Sequence, residues 1–173
     1  MENNVQTNEQ SLEAPVITPE ALLEHWQGHR RLTRRVIEAF PEDQLFSYSI
    51  GGIRPFSALA MELADIAAPG VRGVATGEWQ ALGEIAHHLK EGAPKTKNDL
   101  LRLWDEITDE INKFWPQISP QRFQEVEAAF GQYEGPIYST VLYFIDNEIH
   151  HRGQGYVYLR SLGIEPPPFW ERA

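Results

Sequence analysis

The chain is predicted to fold as an all-α four-helix bundle. Three observations carry that expectation. Apolar residues recur three and four apart along four long stretches, proline and glycine fall between those stretches, and nothing alternates apolar and polar residues with period two over a useful length. A helix with one apolar stripe must hide it against a partner, and four such helices with short connections do so as a bundle. No sheet and no internal repeat is expected.

The elements follow in chain order. Residues 1–16 are polar, rich in Asn, Gln and Glu, and read as a disordered lead-in to a single domain over 17–173. Thr18-Pro19-Glu20 supplies a helix start, with Thr18 as N-cap, Pro19 in the first turn and acidic residues at the positive end of the dipole. Leu22, Leu23, Trp26, Leu32, Val36, Ile37 and Phe40 form the stripe of this first helix (18–40), and Pro41 ends it. After Gly51-Gly52 a second helix (55–77) carries Phe56, Leu59, Leu63 and Ile66, and Pro69-Gly70 is expected to kink or interrupt it. Thr96 or Asn98 caps a third helix (96–115) holding Leu100, Trp104, Ile107 and Ile111. Ser119-Pro120 repeats the start signal and predicts a short crossover helix over 119–128. The last helix (136–161) is the longest, and Leu162-Gly163 is its stop signal.

Composition narrows the function. A net charge of −10 argues against DNA or RNA as a partner, because phosphate binding needs a basic surface. The absence of cysteine excludes disulfides, thiolate metal sites and a cysteine nucleophile. No apolar run approaches the roughly 18 residues of a membrane span, and no basic-then-apolar leader is present, so a soluble cytoplasmic protein is expected.

The densest chemistry lies in Asp146-Asn147-Glu148-Ile149-His150-His151-Arg152-Gly153-Gln154, within the last helix. Asn147 and His151 are i and i+4, the spacing at which two side chains stand over one another and can grip one ion. A histidine satisfied by a neighbouring helix fits the same spacing. Tyr138, Val141, Leu142, Ile145, Ile149, Tyr156 and Leu159 read as one apolar stripe of this helix, with Phe144, Asn147, His151, Gly155 and Tyr158 on a second. Arg152 falls on the apolar side and calls for a buried partner, such as Glu148 or a helix-terminal carbonyl. Gly153 and Gly155 each weaken a helix interior by about 1 kcal/mol relative to Ala, so close helix approach or room for a ligand is expected at both. Elsewhere, His25 and His29 are also i and i+4, but Arg30, Arg31, Arg34 and Arg35 beside them would repel a cation, and a solvated basic face is the better reading. His87 and His88 are consecutive and point apart on a helix.

His150-His151-Arg152-Gly153-Gln154, followed by Tyr158-Leu159-Arg160-Ser161-Leu162-Gly163-Ile164 and the prolines, resembles the C-terminal signature of the DinB/YfiT-like family. That family is distinct from the DNA polymerase sharing the DinB name. The resemblance implies a four-helix bundle, commonly dimeric, with a divalent metal held by one histidine of the second helix and an H-x-x-x-H pair of the last. It implies thiol-dependent S-transferase or metal-dependent hydrolase chemistry on a small molecule. Carried over residue by residue, His151 matches the final histidine, Asn147 stands at its partner and Glu62 at the second-helix position. Asp146, Glu148, His150 and Arg152 are then the candidates for residues that support His151.

Glu62, Asn147 and His151 can be read in two ways. They form a weakened site for Mn, Zn, Ni or Fe, the two oxygen donors favouring a hard ion such as Mn or Mg. Alternatively the metal has been lost, leaving a non-catalytic, stress-related dimeric binding protein. Any thiol chemistry would need an external low-molecular-weight thiol, since the chain has none. A homodimer is expected from the family and from the aromatic load, with Trp79 and Trp170 as interface or lid residues and Trp26, Trp104 and Trp115 on helices.

Overall fold

In the computed structural model, residues 15–81 and 93–173 are described, so His87, His88 and most of the polar lead-in lie outside them. Helix α1 (Pro19–Ala39) starts where Thr18 Oγ1 accepts from the Ala21 N–H at 3.1 Å. A short helix, α2 (Glu42–Ser47), which the sequence did not flag, follows Pro41. Gly51 and Gly52 both take the left-handed region, at φ of 61° and 80°, and turn the chain toward α3 (Phe56–Thr76). Thr96 opens α4 (Lys97–Phe114) by accepting from the Asp99 N–H. Helix α5 (Ile137–Ser161) closes at Gly163, where the Ile164 N–H donates to the Leu159 carbonyl at 2.9 Å. The four long helices agree with their expected spans to within a residue or two.

Helix α3 packs against α4 and α5, and α1 against the same two. Their shared core includes Trp26, Leu32, Val36, Ile37, Leu59, Val71, Trp104, Ile111 and Val141, all essentially sealed from solvent. The phenyl rings of Phe144 and Phe56 occupy the places where a Cβ on Gly70 and on Gly155 would sit, 2.5 Å from it in each case. Close helix approach therefore explains Gly155. Gly153 is exposed and, among the described residues, has no neighbour within 4 Å of an added Cβ.

Four expectations are corrected. The predicted crossover helix is a 3-10 turn (Pro120–Gln124), correctly capped by Ser119, that gives way to a strand. Strands β1 (Val126–Ala129) and β2 (Tyr133–Pro136) pair antiparallel, with Val126 opposite Pro136 and Ala129 opposite Tyr133. Strands this short, one ending in Gly-Pro, show no alternation to read, which is why the expected absence of any sheet fails. The interruption allowed for at Pro69 does not occur: helix α3 continues through it from Phe56 to Thr76. On α5, Tyr138, Leu142 and Ile149 are exposed, so the inward stripe is Val141, Phe144, Ile145, Tyr158 and Leu159.

Trp79 is also placed differently from expectation. It packs over Gly73, meets Phe130 edge to face at 5.3 Å, and donates its indole N–H to Glu127 at 2.8 Å. It completes the core between α3 and the hairpin. Trp26, Trp104 and Trp115 are buried, and Trp170 is exposed.

Candidate functional site

Two polar clusters grow from the same stretch of α5 and face different helices. The first meets α3. His151 Nε2 lies 3.2 Å from Glu62 Oε1, and His151 Nδ1 lies 2.7 Å from Gln154 Oε1 one turn further on. The second Glu62 oxygen accepts from the Arg54 guanidinium. Arg54 belongs to the loop leading into α3, and its carbonyl accepts from the Tyr158 hydroxyl at 3.0 Å, which pins that loop to α5. Burial works to raise the Glu62 carboxyl, but Arg54 and His151 together outweigh it and hold the group below its ordinary value.

Asn147 is half-buried, and its amide nitrogen is sealed from solvent with no hydrogen-bond partner among the described residues. Thus Glu62 and His151 are brought together, while no hydrogen bond ties Asn147 to either. Of the other candidates, His150 is exposed and meets the His151 ring edge to face at 5.0 Å, and Asp146 is exposed. Neither holds His151 by a hydrogen bond. Gln154 does so instead; its place three residues after His151 was the available signal. Arg54 had no signal of its own, since a loop arginine matches no spacing rule.

A three-ligand transition-metal centre does not fit this arrangement. Both His151 nitrogens already have oxygen partners, and a guanidinium covers one oxygen of Glu62, the only carboxylate in contact with the ring among the described residues. The residue standing in for the third histidine offers an amide, a poor ligand for such ions. Among the described residues, no group of three or more His, Asp and Glu side chains is placed to hold an ion.

The second cluster meets α1 and corrects further expectations. Glu148 does not support His151. It is buried, accepts from the Thr33 hydroxyl at 2.6 Å and the Trp26 indole at 3.2 Å, and has Arg30 at 3.8 Å and Arg152 at 3.9 Å. Arg152 does not support His151 either: it is buried with Glu148 at 3.9 Å, as expected, but its hydrogen bonds go to Thr33 Oγ1 at 3.1 Å and His29 Nδ1 at 2.9 Å. The solvated basic face of α1 holds for Arg31, Arg34 and Arg35 but not for His29 and Arg30, which are buried. Those two lie between Trp26 and Thr33 on the inward side, at helical spacing. Arg30 stacks on Trp104, 3.6 Å from the ring centre, and donates to the Trp104 carbonyl at 2.9 Å. Burial, then Arg152, Arg172 and His25, push His29 down from 6.5 to about 3, so its ring stays neutral.

Comparison with known proteins adds the family. The chain is similar to a DinB-like protein of Bacillus subtilis at a TM-score of 0.69 and 16% identity, over 88% of this chain and 99% of that one. It is similar to a DinB-like protein of Bacillus cereus at a TM-score of 0.65 and 14% identity, over 86% and 95%. At these identities the likeness establishes the fold alone. No curated protein matches the chain. The DinB family model matches residues 1–173, and the chain belongs to the DinB family.

Proposed function

We propose that this DinB-family chain binds a small molecule between α3 and α5, beside Glu62 and His151, without building a transition-metal centre there. The Arg54–Glu62 ion pair is the observation that carries this reading. It puts a fixed positive charge on the carboxylate that a cation would need, and like charges close together are costly. A second reading keeps a metal-dependent transferase or hydrolase, with an external thiol where thiol chemistry is involved. The 3.2 Å spacing of Glu62 Oε1 and His151 Nε2 favours it, since two ligands of one ion stand about that far apart.

Metal analysis of untagged protein, followed by calorimetric titration with Mn, Zn and Ni, separates the two. Weak binding by the native chain is expected, with Asn147→His tightening Zn or Ni by about tenfold or more as an imidazole replaces the amide. Tight binding by the native chain would move the conclusion to the second reading. Identical titrations of the two proteins would remove position 147 from the ligand set.

The same protein is proposed to work as a homodimer. Tyr138, Leu142, Ile149 and Val157 line an exposed apolar face of α5, and Gly153 offers on that helix a place for close approach that none of the described residues fills. Sedimentation equilibrium should give twice the 19.8 kDa chain mass; a chain that stays monomeric on concentrating removes the dimer.

A further inference from the structure

Arg54 lies outside the helices, directly before Pro55, and a proline disfavours helical backbone in the residue ahead of it. Its carbonyl accepts from the Tyr158 hydroxyl at 3.0 Å, so the backbone at this position is tied to α5. The half-exposed side chain runs instead along the first two turns of α3 to the Glu62 carboxylate. Glu62 thus has one oxygen on Arg54 and the other 3.2 Å from His151 Nε2. We infer that Arg54 is a tethered cation that takes the place of a divalent ion at Glu62 and His151, and is the residue by which this chain excludes one. This role rests on the reading that the native chain builds no transition-metal centre, and it supplies the cause.

Position is the first reason. The carboxylate and the imidazole stand 3.2 Å apart, about the separation of two ligands of one ion. On the far side of the ring, Gln154 Oε1 lies 2.7 Å from Nδ1. An oxygen at that place is the support a ligating imidazole commonly has, because it fixes the ring with its other nitrogen turned toward the ion. Two side chains are therefore set as ligands are set, and the group on the remaining carboxylate oxygen is a cation that cannot leave the chain.

Charge and tethering are the second and third. A guanidinium stays charged at every pH the fold survives, and it repels a second cation arriving at the same oxygen. Among the described residues no other arginine or lysine is paired with Glu62, so the exclusion depends on this one side chain. Held on a short link, the guanidinium competes at an effective concentration on the order of millimolar, and an ion supplied at micromolar concentration meets a carboxylate already taken. The same exposure that makes the ion pair a small part of stability makes Arg54 replaceable. Its tie to Tyr158 uses the backbone carbonyl, which a substitution keeps.

The test titrates the full untagged chain with zinc chloride and with manganese chloride by calorimetry, thermal melting confirming that each variant is folded. The native chain and Arg54→Lys, which keeps a cation on the same backbone, should both bind weakly. Arg54→Gln should bind at least one of the two ions more tightly by about tenfold or more. Arg54→Gln/Glu62→Gln should return to the native weakness, because the carboxylate is gone. If Arg54→Gln binds no more tightly than a weakly binding native chain, the role given to Arg54 is overturned while the reading of a metal-free site stands. A native chain that binds tightly would remove both. Binding that the double variant keeps would lie elsewhere, and Arg54→Lys binding as tightly as Arg54→Gln would show that charge is not the barrier. Either result also overturns the inference.

Discussion

Two neighbouring turns of α5 contribute nearly the same kinds of side chain to two clusters with opposite characters. Glu148 and Arg152 point to α1 and are sealed in the core, where Trp26, Thr33, His29 and Arg30 meet their polar atoms. His151 points to α3, where its partner Glu62 keeps more than a quarter of its side chain in solvent and the covering Arg54 keeps half. The first cluster holds α1 and α5 in one arrangement. The second is reachable from outside through Glu62 and Arg54. A dense polar run on a helix therefore marks two different things, and only burial separates them.

The comparison breaks most readily at Glu148. Glu148→Ala leaves Arg30 and Arg152 buried without their common counter-charge, and a buried pair broken on one side costs about 3–5 kcal/mol. Glu62→Ala removes a part-exposed carboxylate and should cost about 1 kcal/mol or less. Urea unfolding of both variants at pH 7 measures the difference. Equal losses would mean that the two clusters are not structurally distinct.

The sequence made the bundle legible because its signals were local: caps at Thr18 and Thr96, stops at Pro41 and Gly163, and stripes of long period. It also brought Glu62 and His151 together through the family resemblance. What it could not give was partner choice across helices. Glu148 and Asp146 look alike in the run, but only the turn of the helix decides that one is buried against Trp26 and the other is left in solvent. Arg30 was read with Arg31 as solvated for the same reason, although one residue of rotation puts it under Trp104. The hairpin was missed because four-residue strands carry too little pattern.

A second, smaller effect sharpens the contrast through pH. His29 has a folded value of about 3 against 6.5 unfolded, so between those values the unfolded chain takes up a proton that the folded chain refuses. Stability contributed by the neutral ring is complete above pH 6.5 and is lost as pH falls toward 3. The loss over that window is on the order of a few kcal/mol. His29→Gln cannot titrate, so its unfolding free energy should fall less steeply than the native protein's between pH 6.5 and 4.5. Parallel curves would show that His29 is not held neutral by burial and the neighbouring Arg152 and Arg172.

The smallest effect belongs to Glu62, and its sign and window distinguish it from His29. Its folded carboxyl lies below the unfolded value of 4.5, because Arg54 and His151 favour the charged form more than burial disfavours it. The contribution is therefore fully present above about pH 4.5 and disappears only as pH falls through the lowered folded value. Since Arg54 is half exposed, solvent screens the pair and the contribution is about 1 kcal/mol or less. Glu62→Gln keeps one acceptor oxygen, enough for Arg54 or for His151 but not for both, and cannot ionise. The native protein should exceed this variant by that small margin at pH 7 and lose the margin as pH falls from 4.5 through the lowered folded value, after the His29 decline is already under way. Raising salt to about 1 M should shrink the margin further while leaving the cost of Glu148→Ala nearly unchanged, because screening reaches an exposed pair and not a buried one. A Glu62 margin that resists both acid and salt would place the Glu62–His151 cluster with the sealed network, and the proposal of an open binding site there would fall.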